Sequence, residues 1–366
     1  MTHTPPSWKV DGAIGGGQIV RTAVAISALR GVPVRVDNIR RSRGNPGLQR
    51  QHLAAILAVE RISGGALAGA VKGSSWVEFF PGAATGLVRE TVDIGSAGST
   101  MLVLQAALPL LARRGGTLVV TGGTDNPLAP PIDWFREILV PTLRSIGILP
   151  GIELVRRGFF PVGGGEISVS CPATQSWPGV RRTDWSGPAK IAGVAYSSSL
   201  PEHVPERIRA AALKELRSGK GLSADAKSAL RACEHDVRIE LSKGPSPGAG
   251  IVLWAADANG VRLGASALGE RGKPSEDVGR EAGAWLLAEL AVGAPVDRHL
   301  ADQLLVWAAL ASSPSEFRIA EATEHVRSCA QLLREGAGAR IDIEGTSPAV
   351  VRVTPGGQEH FATNGR

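Results

Sequence analysis

The 366-residue sequence has few cysteines, few aromatic residues and no apolar run long enough to cross a membrane. Its three cysteines, Cys171, Cys233 and Cys329, form no CxxC pair, which indicates a reducing compartment and argues against a zinc site. The longest nearly apolar stretch, residues 101–112, contains Gln105 and is too short for a bilayer, and the amino terminus lacks the apolar core of a signal peptide. We therefore expect a cytoplasmic protein with no membrane contact and no obligate protein partner.

Aromatic residues make up only 4% of the chain, with a single tyrosine, which argues against a platform that stacks the bases of a long single strand. Lysine and arginine outnumber aspartate and glutamate by 40 to 34, so the surface should attract partners that carry phosphate. An arginine-rich composition is equally expected from GC-rich coding, and only the placement of the arginines can decide between the two. Any nucleic acid that binds is therefore expected to be held at its end.

Three segments share one pattern, in which small or polar residues open an apolar helix that is followed by a turn and an alternating strand. These helical segments are residues 15–31, 96–116 and 299–313. Each unit continues with a second helix and a final strand, and the second helices are predicted over residues 48–62, 132–146 and 325–334. The recurrence predicts pseudo-symmetric α/β modules around a common centre, with a chance likeness of ordinary helix–strand units as the alternative.

Residues 184–275 interrupt this repetition with a pattern of their own. AKIAGVAYSS, VRIELS and GIVLWAA are predicted as strands, and VPERIRAAALKELRS as a helix with Pro205 near its first turn. We therefore predict a large domain over residues 1–183 and 276–355, a small inserted α/β domain over residues 184–275, and a disordered tail over residues 356–366.

A glycine run, Gly15-Gly16-Gly17, opens the first helix without the spacing of a P-loop or of a dinucleotide-binding fingerprint. Bare backbone amides at the start of a helix can hold a phosphate, here with Arg21 one turn further along. A tight turn with a purely structural role is the alternative.

A second candidate site is a cluster of arginines beside a Pro-Gly turn, formed by Arg40, Arg41, Arg43 and Arg50. Planar guanidinium groups suit bidentate contacts to phosphate, whereas the alternative is a solvated loop.

A third candidate, residues 122–135, contains Asn-Pro and Pro-Pro steps that impose an extended path. This segment either walls a pocket for a base or is a plain connection.

Six motifs follow one another along the chain: DGAIGGGQIVRT, NIRRSRGNPGLQRQHL, DIGSAGSTMLVLQAALP, GGTDNPLAPPIDWF, RRGFFPVGGGEI and HLADQLL. In this order they resemble the RNA 3′-terminal phosphate cyclase family, over about residues 10–303 and more loosely to residue 343. The resemblance implies an α/β (α+β) fold of three pseudo-symmetric βαβαββ-type repeats with a small inserted α/β domain. It also implies an enzyme that uses ATP to convert an RNA 3′-phosphate into a 2′,3′-cyclic phosphate.

The roles that the resemblance implies fall on particular residues. His325 matches the nucleophile that carries AMP, although on local sequence it could simply begin a helix. The resemblance assigns ATP or AMP binding to Gln105, Pro130, His299, Leu300, Ala301, Asp302 and Gln303. It assigns phosphate or RNA binding to Gly16, Gly17, Gln18, Arg21, Arg40 and Arg43. The cofactors implied are ATP and a divalent metal, magnesium or manganese, and the partner is an RNA with a 3′-terminal phosphate.

The sequence departs from the family pattern at the metal site and beside the nucleophile. The family usually carries a glutamate before the three glycines, whereas Ile14 stands here, so a metal would depend on Asp302, water and phosphate. Ser328 and Cys329 replace the usual Thr-Asn pair after His325. Two alternatives follow: a cyclase-like relative that binds RNA without cyclising it, and an enolpyruvyl-transferase-like enzyme of related architecture.

Overall fold

Three units of the chain repeat one order of strands and helices in the computed structural model, which describes residues 8–13 and 15–356. The first unit consists of β1 (Trp8–Asp11), α1 (Gly17–Arg30), β2 (Val34–Asp37), α2 (Arg50–Ser63), β3 (Ala66–Ala68) and β4 (Val77–Phe80). The second unit consists of β5 (Val88–Asp93), α3 (Thr100–Arg114), β6 (Gly116–Gly122), α4 (Ile132–Trp134), a π-helix (Phe135–Leu139), α5 (Val140–Arg144), β7 (Gly151–Arg156) and β8 (Gly165–Cys171).

An insertion separates the first strand of the third unit from its remainder. After β9 (Arg181–Arg182), the insertion consists of β10 (Lys190–Ser198), α6 (His203–Ser218), α7 (Ala224–Ala232), β11 (Glu234–Ser242), β12 (Gly248–Ala256), β13 (Arg262–Leu268) and α8 (Ser275–Val292). The third unit resumes with α9 (Leu300–Ala309), β14 (Ser315–Ile319), α10 (Glu324–Gly336), β15 (Arg340–Gly345) and β16 (Ala349–Thr354). Of the tail predicted over residues 356–366, all but Gly356 lies outside the described residues. Within the described ranges, none of the helices is both long and apolar enough to cross a membrane.

Each unit forms a four-stranded sheet with the same topology. The strand orders are β1-β2-β4-β3, β5-β6-β8-β7 and β9-β14-β16-β15. In each sheet the first pair of strands is parallel and the other two pairs are antiparallel. Three copies of one topology confirm the α/β (α+β) fold class of three βαβαββ-type repeats that the sequence predicts.

The insertion forms a fourth sheet with the strand order β11-β10-β12-β13, and α6 and α8 pack on it. Its apolar core is separate from that of the three repeats and includes Ile191, Ile251 and Leu286. The predicted insert ends at residue 275, which is the first residue of α8. Because the buried face of α8 packs in the core of the insertion, the compact unit extends to residue 292. Strand β13 and helix α7 have no counterpart among the predicted elements.

Helices from different repeats pack together and bring their first turns close to one another. Helix α1 contacts α2, α3 and α10, and α10 also contacts α9. Two caps determine where the later helices begin: the side chain of Thr323 accepts a hydrogen bond from the Val326 amide, and Ser99 accepts one from the Leu102 amide. The Thr323 cap thereby holds His325 in the first turn of α10.

Candidate active site

A hydrogen-bonded relay joins the first turns of three helices. His325 Nδ1 lies 2.6 Å from Gln18 Oε1, and Gln18 Nε2 donates to Asp302 Oδ2 at 2.9 Å. Gln18 belongs to α1, Asp302 to α9 and His325 to α10. The relay therefore brings together three of the residues to which the sequence assigns a role.

The relay fixes which nitrogen of His325 is free. The carboxylate of Asp302 accepts hydrogen bonds, so the amide nitrogen of Gln18 faces it and the amide oxygen faces the imidazole. Because that oxygen only accepts, His325 Nδ1 carries the proton and Nε2 keeps its lone pair. Partial burial, with the charges of Arg43 and Arg21, lowers the pKa of His325 below its ordinary value. The imidazole is thus neutral near pH 7 and presents a nucleophilic nitrogen at an exposed position.

The start of α1 offers an anion site beside this imidazole. Gly16 precedes the helix with φ 71°, a backbone conformation that favours glycine, and no side chain caps the first amides. A Cβ on Gly16 would lie 3.3 Å from Arg43 Nη2, so the exposed guanidinium group lies directly beside residues 15–17, which we call the glycine loop. Free helix amides next to an arginine form a favourable environment for a phosphate.

His52 lies beneath the glycine loop and faces it. The Gln49 amide donates to His52 Nδ1 at 3.1 Å, which leaves the proton of the neutral ring on Nε2. A Cβ on Gly17 would collide with Nε2, so only glycine fits at that position. Burial, with the charges of Arg21 and Arg40, lowers the pKa of His52 to about 3. On sequence alone His52 could touch RNA or simply pack, and the structure makes it a neutral neighbour of the first turn of α1.

Arg21 is buried behind the relay. Its Nη2 donates to Gln105 Oε1 at 3.4 Å, whereas its Nε has no hydrogen-bond partner. Burial lowers its pKa to about 10, partly offset by the charge of Asp302, so the guanidinium group stays charged at neutral pH. A buried cation with an unpartnered donor is expected to stabilise an anion bound beside it.

A pocket opens next to Gln18 and is polar on one side and apolar on the other. Its polar lining consists of Gln18, Thr22, Gln105, Asp302 and Gln303. Its apolar lining consists of Leu108, Pro109, Phe135, Leu139, Val306 and Trp307. The Gln303 amide donates to the His299 carbonyl oxygen at 3.2 Å, and its buried Oε1 has no partner. A flat base with an amino group fits this combination of apolar walls and one free acceptor.

Other residues that the sequence assigns to the site do not line this pocket. His299 is exposed just before α9, Leu300 and Ala301 are buried in the first turn of that helix, and Pro130 is half-buried in the loop before α4. Conversely, the sequence interpretation names neither Phe135 nor Trp307 among the nucleotide residues. In the sequence these two residues show only the apolar periodicity of a helix, which does not distinguish a pocket residue from a core residue.

The arginines of the second candidate cluster divide between structure and solvent. Arg40 Nη1 donates to the Asn45 carbonyl oxygen at 2.7 Å, and Arg40 itself adopts φ 54°. Arg50 Nη1 donates to the Gly95 carbonyl oxygen at 2.7 Å. Arg43 and Arg50 are both exposed, and only Arg43 of the three faces the glycine loop. Of these three, Arg43 is the one whose charge is most available to a ligand.

Asp302 is the one carboxylate of the relay to which a metal ion could bind. No group of three or more His, Cys, Asp or Glu side chains suited to a metal occurs in the part of the chain that the structure describes. Asp302 already accepts from Gln18 and is close enough to Arg21 for the two charges to interact. A resident divalent cation held by side chains alone therefore does not fit these residues.

Asp302 makes a testable contribution to stability. Burial raises its pKa from 3.8 to about 7, so the folded protein keeps a proton that the unfolded chain releases near pH 4. Stability should therefore fall as the pH rises from about 4 to about 7. We expect Asp302→Asn to raise the free energy of unfolding by about 1–3 kcal/mol near pH 8 and to change it little near pH 4. The expected value is smaller than the full pKa shift would give because Asp302 is only half-buried.

Thermal unfolding at a series of pH values measures this difference. Asp342→Asn, an exposed carboxylate of β15, is the matched control. A difference between Asp302→Asn and the unchanged protein that does not vary with pH would contradict the assignment.

Comparison with known proteins shows one family across nearly the whole chain. The family profile described as RNA 3′-terminal phosphate cyclase matches residues 13–343. Proteins of that name from Thermococcus gammatolerans and Caldivirga maquilingensis are 40% and 42% identical, over 94% and 91% of this chain and 97% and 93% of their own. The enolpyruvyl transferase NikO from Streptomyces tendae, a solved structure, shares 12% identity over 96% of this chain and 66% of its own, with a TM-score of 0.27, which is too low to indicate a shared fold. The sequence relationship over nearly the whole chain confirms the resemblance of the six motifs, and the chain belongs to the RNA 3′-terminal phosphate cyclase family of enzymes.

Proposed function

We propose that this protein converts the 3′-terminal phosphate of an RNA into a 2′,3′-cyclic phosphate at the expense of ATP, with His325 carrying AMP between the two. The observation that supports it best is the relay, which leaves Nε2 of His325 unprotonated beside a cationic helix start. The names of the related proteins supply the substrate class. A cytoplasmic location remains part of the proposal.

The reaction would proceed in three displacements at phosphorus. His325 Nε2 attacks the α-phosphorus of ATP, the bond to the bridging oxygen breaks and pyrophosphate leaves. An oxygen of the RNA 3′-phosphate then attacks the same phosphorus, and the phosphorus–nitrogen bond breaks to regenerate the imidazole. Finally the adjacent 2′-hydroxyl attacks the RNA phosphorus and expels AMP. Closure of this ring is favoured because the hydroxyl group is already next to the phosphorus that it attacks.

The surrounding residues would bind and orient these groups. Arg21 and Arg43 would offset charge that accumulates on the phosphoryl oxygens, and such stabilisation usually contributes most to the catalysis of phosphoryl transfer. The unpartnered Oε1 of Gln303 would accept from the amino group of adenine, and the apolar wall with Trp307 would cover the ring. Gln18 would act as a positioning residue, since it holds the tautomer of His325.

A divalent cation, magnesium or manganese, remains a proposal of a narrower kind. Because the described side chains do not form a metal cage, the ion would enter with the phosphates of ATP. No residue role above depends on it.

Two assays test the proposed function directly. Incubation with α-labelled ATP and a divalent cation should place acid-labile, base-stable label on the protein. RNA that ends in a 3′-phosphate should then acquire a cyclic phosphate, whereas RNA that ends in a 3′-hydroxyl should not. Absence of both label and cyclic product would refute the proposal, and RNA binding without either would instead favour the alternative of a relative that binds RNA without cyclising it.

The exposed Arg43 should affect RNA affinity through charge. We expect Arg43→Ala to weaken binding of 3′-phosphate RNA and to reduce the slope of log affinity against log salt by about 0.7, the value for one contact to a phosphate of a single strand. Filter binding over a salt series measures both. Arg340→Ala removes an exposed arginine on β15 and serves as the control. An unchanged slope for Arg43→Ala would exclude a phosphate contact.

A further inference from the structure

The motif RRGFFPVGGGEI has no role in the proposed chemistry, although hydrogen bonds, ion pairs and burial hold most of its residues in place. It forms the turn between β7 and β8. Arg157 is buried and pairs with Asp125, Asp133 and Glu240 at 3.2, 2.6 and 2.7 Å, with its guanidinium group 3.8 Å from the ring centre of Tyr196. The Gly158 amide donates to Thr124 Oγ1 at 3.0 Å. The base of this turn is therefore rigid.

The two phenylalanines of the motif have opposite environments. Phe159 is 5% exposed and its amide donates to Ser246 Oγ at 2.7 Å, while Ser246 Oγ in turn donates to the Gly163 carbonyl oxygen at 3.1 Å. Phe160, the next residue, is 71% exposed, and Val162 is 57% exposed. A turn held at both ends thus projects one aromatic ring into solvent, and nothing in the fold itself requires that ring.

A neighbouring loop adds a third apolar side chain. Asp125 and Phe159 pair as an isolated bridge, which places the loop that follows β6 alongside this turn. Leu128 in that loop is fully exposed and has φ 63°, a strained conformation for leucine. Strain combined with exposure is typical of a segment shaped for a partner. We call Leu128, Phe160 and Val162 the apolar rim.

The turn with Phe160 connects to the candidate active site through a short series of contacts. A Cβ on Gly163 would lie 2.7 Å from the Cα atom of Ala97, which belongs to the loop that precedes α3. In that loop the Ser99 amide donates to Gln51 Oε1 at 3.4 Å, and Gln51 precedes His52, which faces Gly17. The apolar rim and the glycine loop are therefore joined through the first turns of α2 and α3.

We propose that Phe160 stacks on a base of the RNA a few nucleotides before its 3′ end, with Leu128 and Val162 supporting that base; this inference rests on the proposed function. Arg50 Nη1 donates to the Gly95 carbonyl oxygen, in the loop before α3 that also contains Ala97. An RNA whose terminal phosphate lies at the glycine loop and Arg43 would therefore pass Arg50 before it reaches the apolar rim. Exposed cations along this path favour a polyanion over an apolar protein segment. A single ring suits one or two bases and not a long strand.

The variant that tests the proposal is Phe160→Ala, and its controls are Phe160→Trp and Val155→Ala. Val155 is an exposed apolar residue of β7 in the same hairpin. We expect Phe160→Ala to weaken binding of a short 3′-phosphate oligonucleotide by about tenfold, Phe160→Trp to retain it, and Val155→Ala to change nothing. Binding of a single nucleoside 3′-phosphate and labelling of the protein by ATP should be unaffected in all three variants.

Oligonucleotides with one abasic position identify the stacked base. In the unchanged protein one such position should weaken binding, and Phe160→Ala should abolish that dependence. Equal affinity of Phe160→Ala and the unchanged protein for every oligonucleotide would overturn the inference. So would a change of oligomeric state on substitution, measured by sedimentation, because it would make the apolar rim a protein interface. Absence of ATP labelling in the unchanged protein would instead refute the proposed function.

Discussion

Replacing His325 by alanine should abolish the transfer of AMP to the protein and reduce formation of cyclic phosphate by at least about 10³-fold. The imidazole is the only group in the relay with a free nucleophilic nitrogen, since the amide nitrogen of Gln18 donates to Asp302 and Asp302 has only oxygens. No alanine atom can take over that role. The measurement is the label retained on protein after incubation with α-labelled ATP, followed by analysis of the RNA end.

Two controls separate this chemical loss from a structural one. His203→Ala removes an exposed histidine from the first residue of α6, as His325→Ala does near the start of α10, and it should leave labelling unchanged. His325→Asn keeps an amide that can donate to Gln18, so it should preserve the relay but not the label. Labelling of His325→Ala at the level of the unchanged protein would show that another residue carries AMP.

The same residue gives the pH dependence of the first step. Its pKa lies below the ordinary value because burial and two arginines disfavour the imidazolium form. Labelling should therefore rise with pH and level off only above about pH 7, where the imidazole is neutral and the carboxyl group of Asp302, with a pKa of about 7, is ionised and orients Gln18.

Much of the architecture was accessible from sequence because its signals are local. Apolar periodicity, small residues at helix starts and alternating strands each depend on neighbouring residues, and they recur in three units. The boundary at residue 275 shows the limit of such signals. Helix α8 has an amphipathic pattern that would suit either domain, and only its packing on α6, β12 and β13 assigns it to the insertion.

The relay was less accessible because its members are far apart in the chain. Gln18 and His325 are separated by 307 residues, and Gln18 and Asp302 by 284. Their contact depends on how α10 packs against both α1 and α9, which no local pattern encodes. The family resemblance named all three residues but did not reveal that Gln18 joins the other two. His52 illustrates the same limit, since its tautomer follows from the Gln49 amide and its role from the proximity of Gly17.

Because Gln18 connects Asp302 to His325, removing it should make Asp302 largely irrelevant to the chemical step. We expect Gln18→Ala to lower the rate of AMP transfer to the protein by about 10²-fold, since Nδ1 loses its acceptor and the imidazole its fixed tautomer. We expect Asp302→Ala to have a similar effect on kcat, because the amide of Gln18 can then rotate. The double variant should lose no more in kcat than the worse single variant.

KM should behave differently in the same experiment, because Asp302 also lines the pocket and interacts with Arg21. Loss of Asp302 should therefore change KM for ATP whether or not Gln18 is present. Single-turnover labelling at several ATP concentrations separates the two parameters, and Gln331→Ala, an exposed glutamine on α10, is the control. Effects of Gln18→Ala and Asp302→Ala that multiply in kcat would mean that the two residues act on His325 independently, and the relay would then be a structural contact without a part in catalysis.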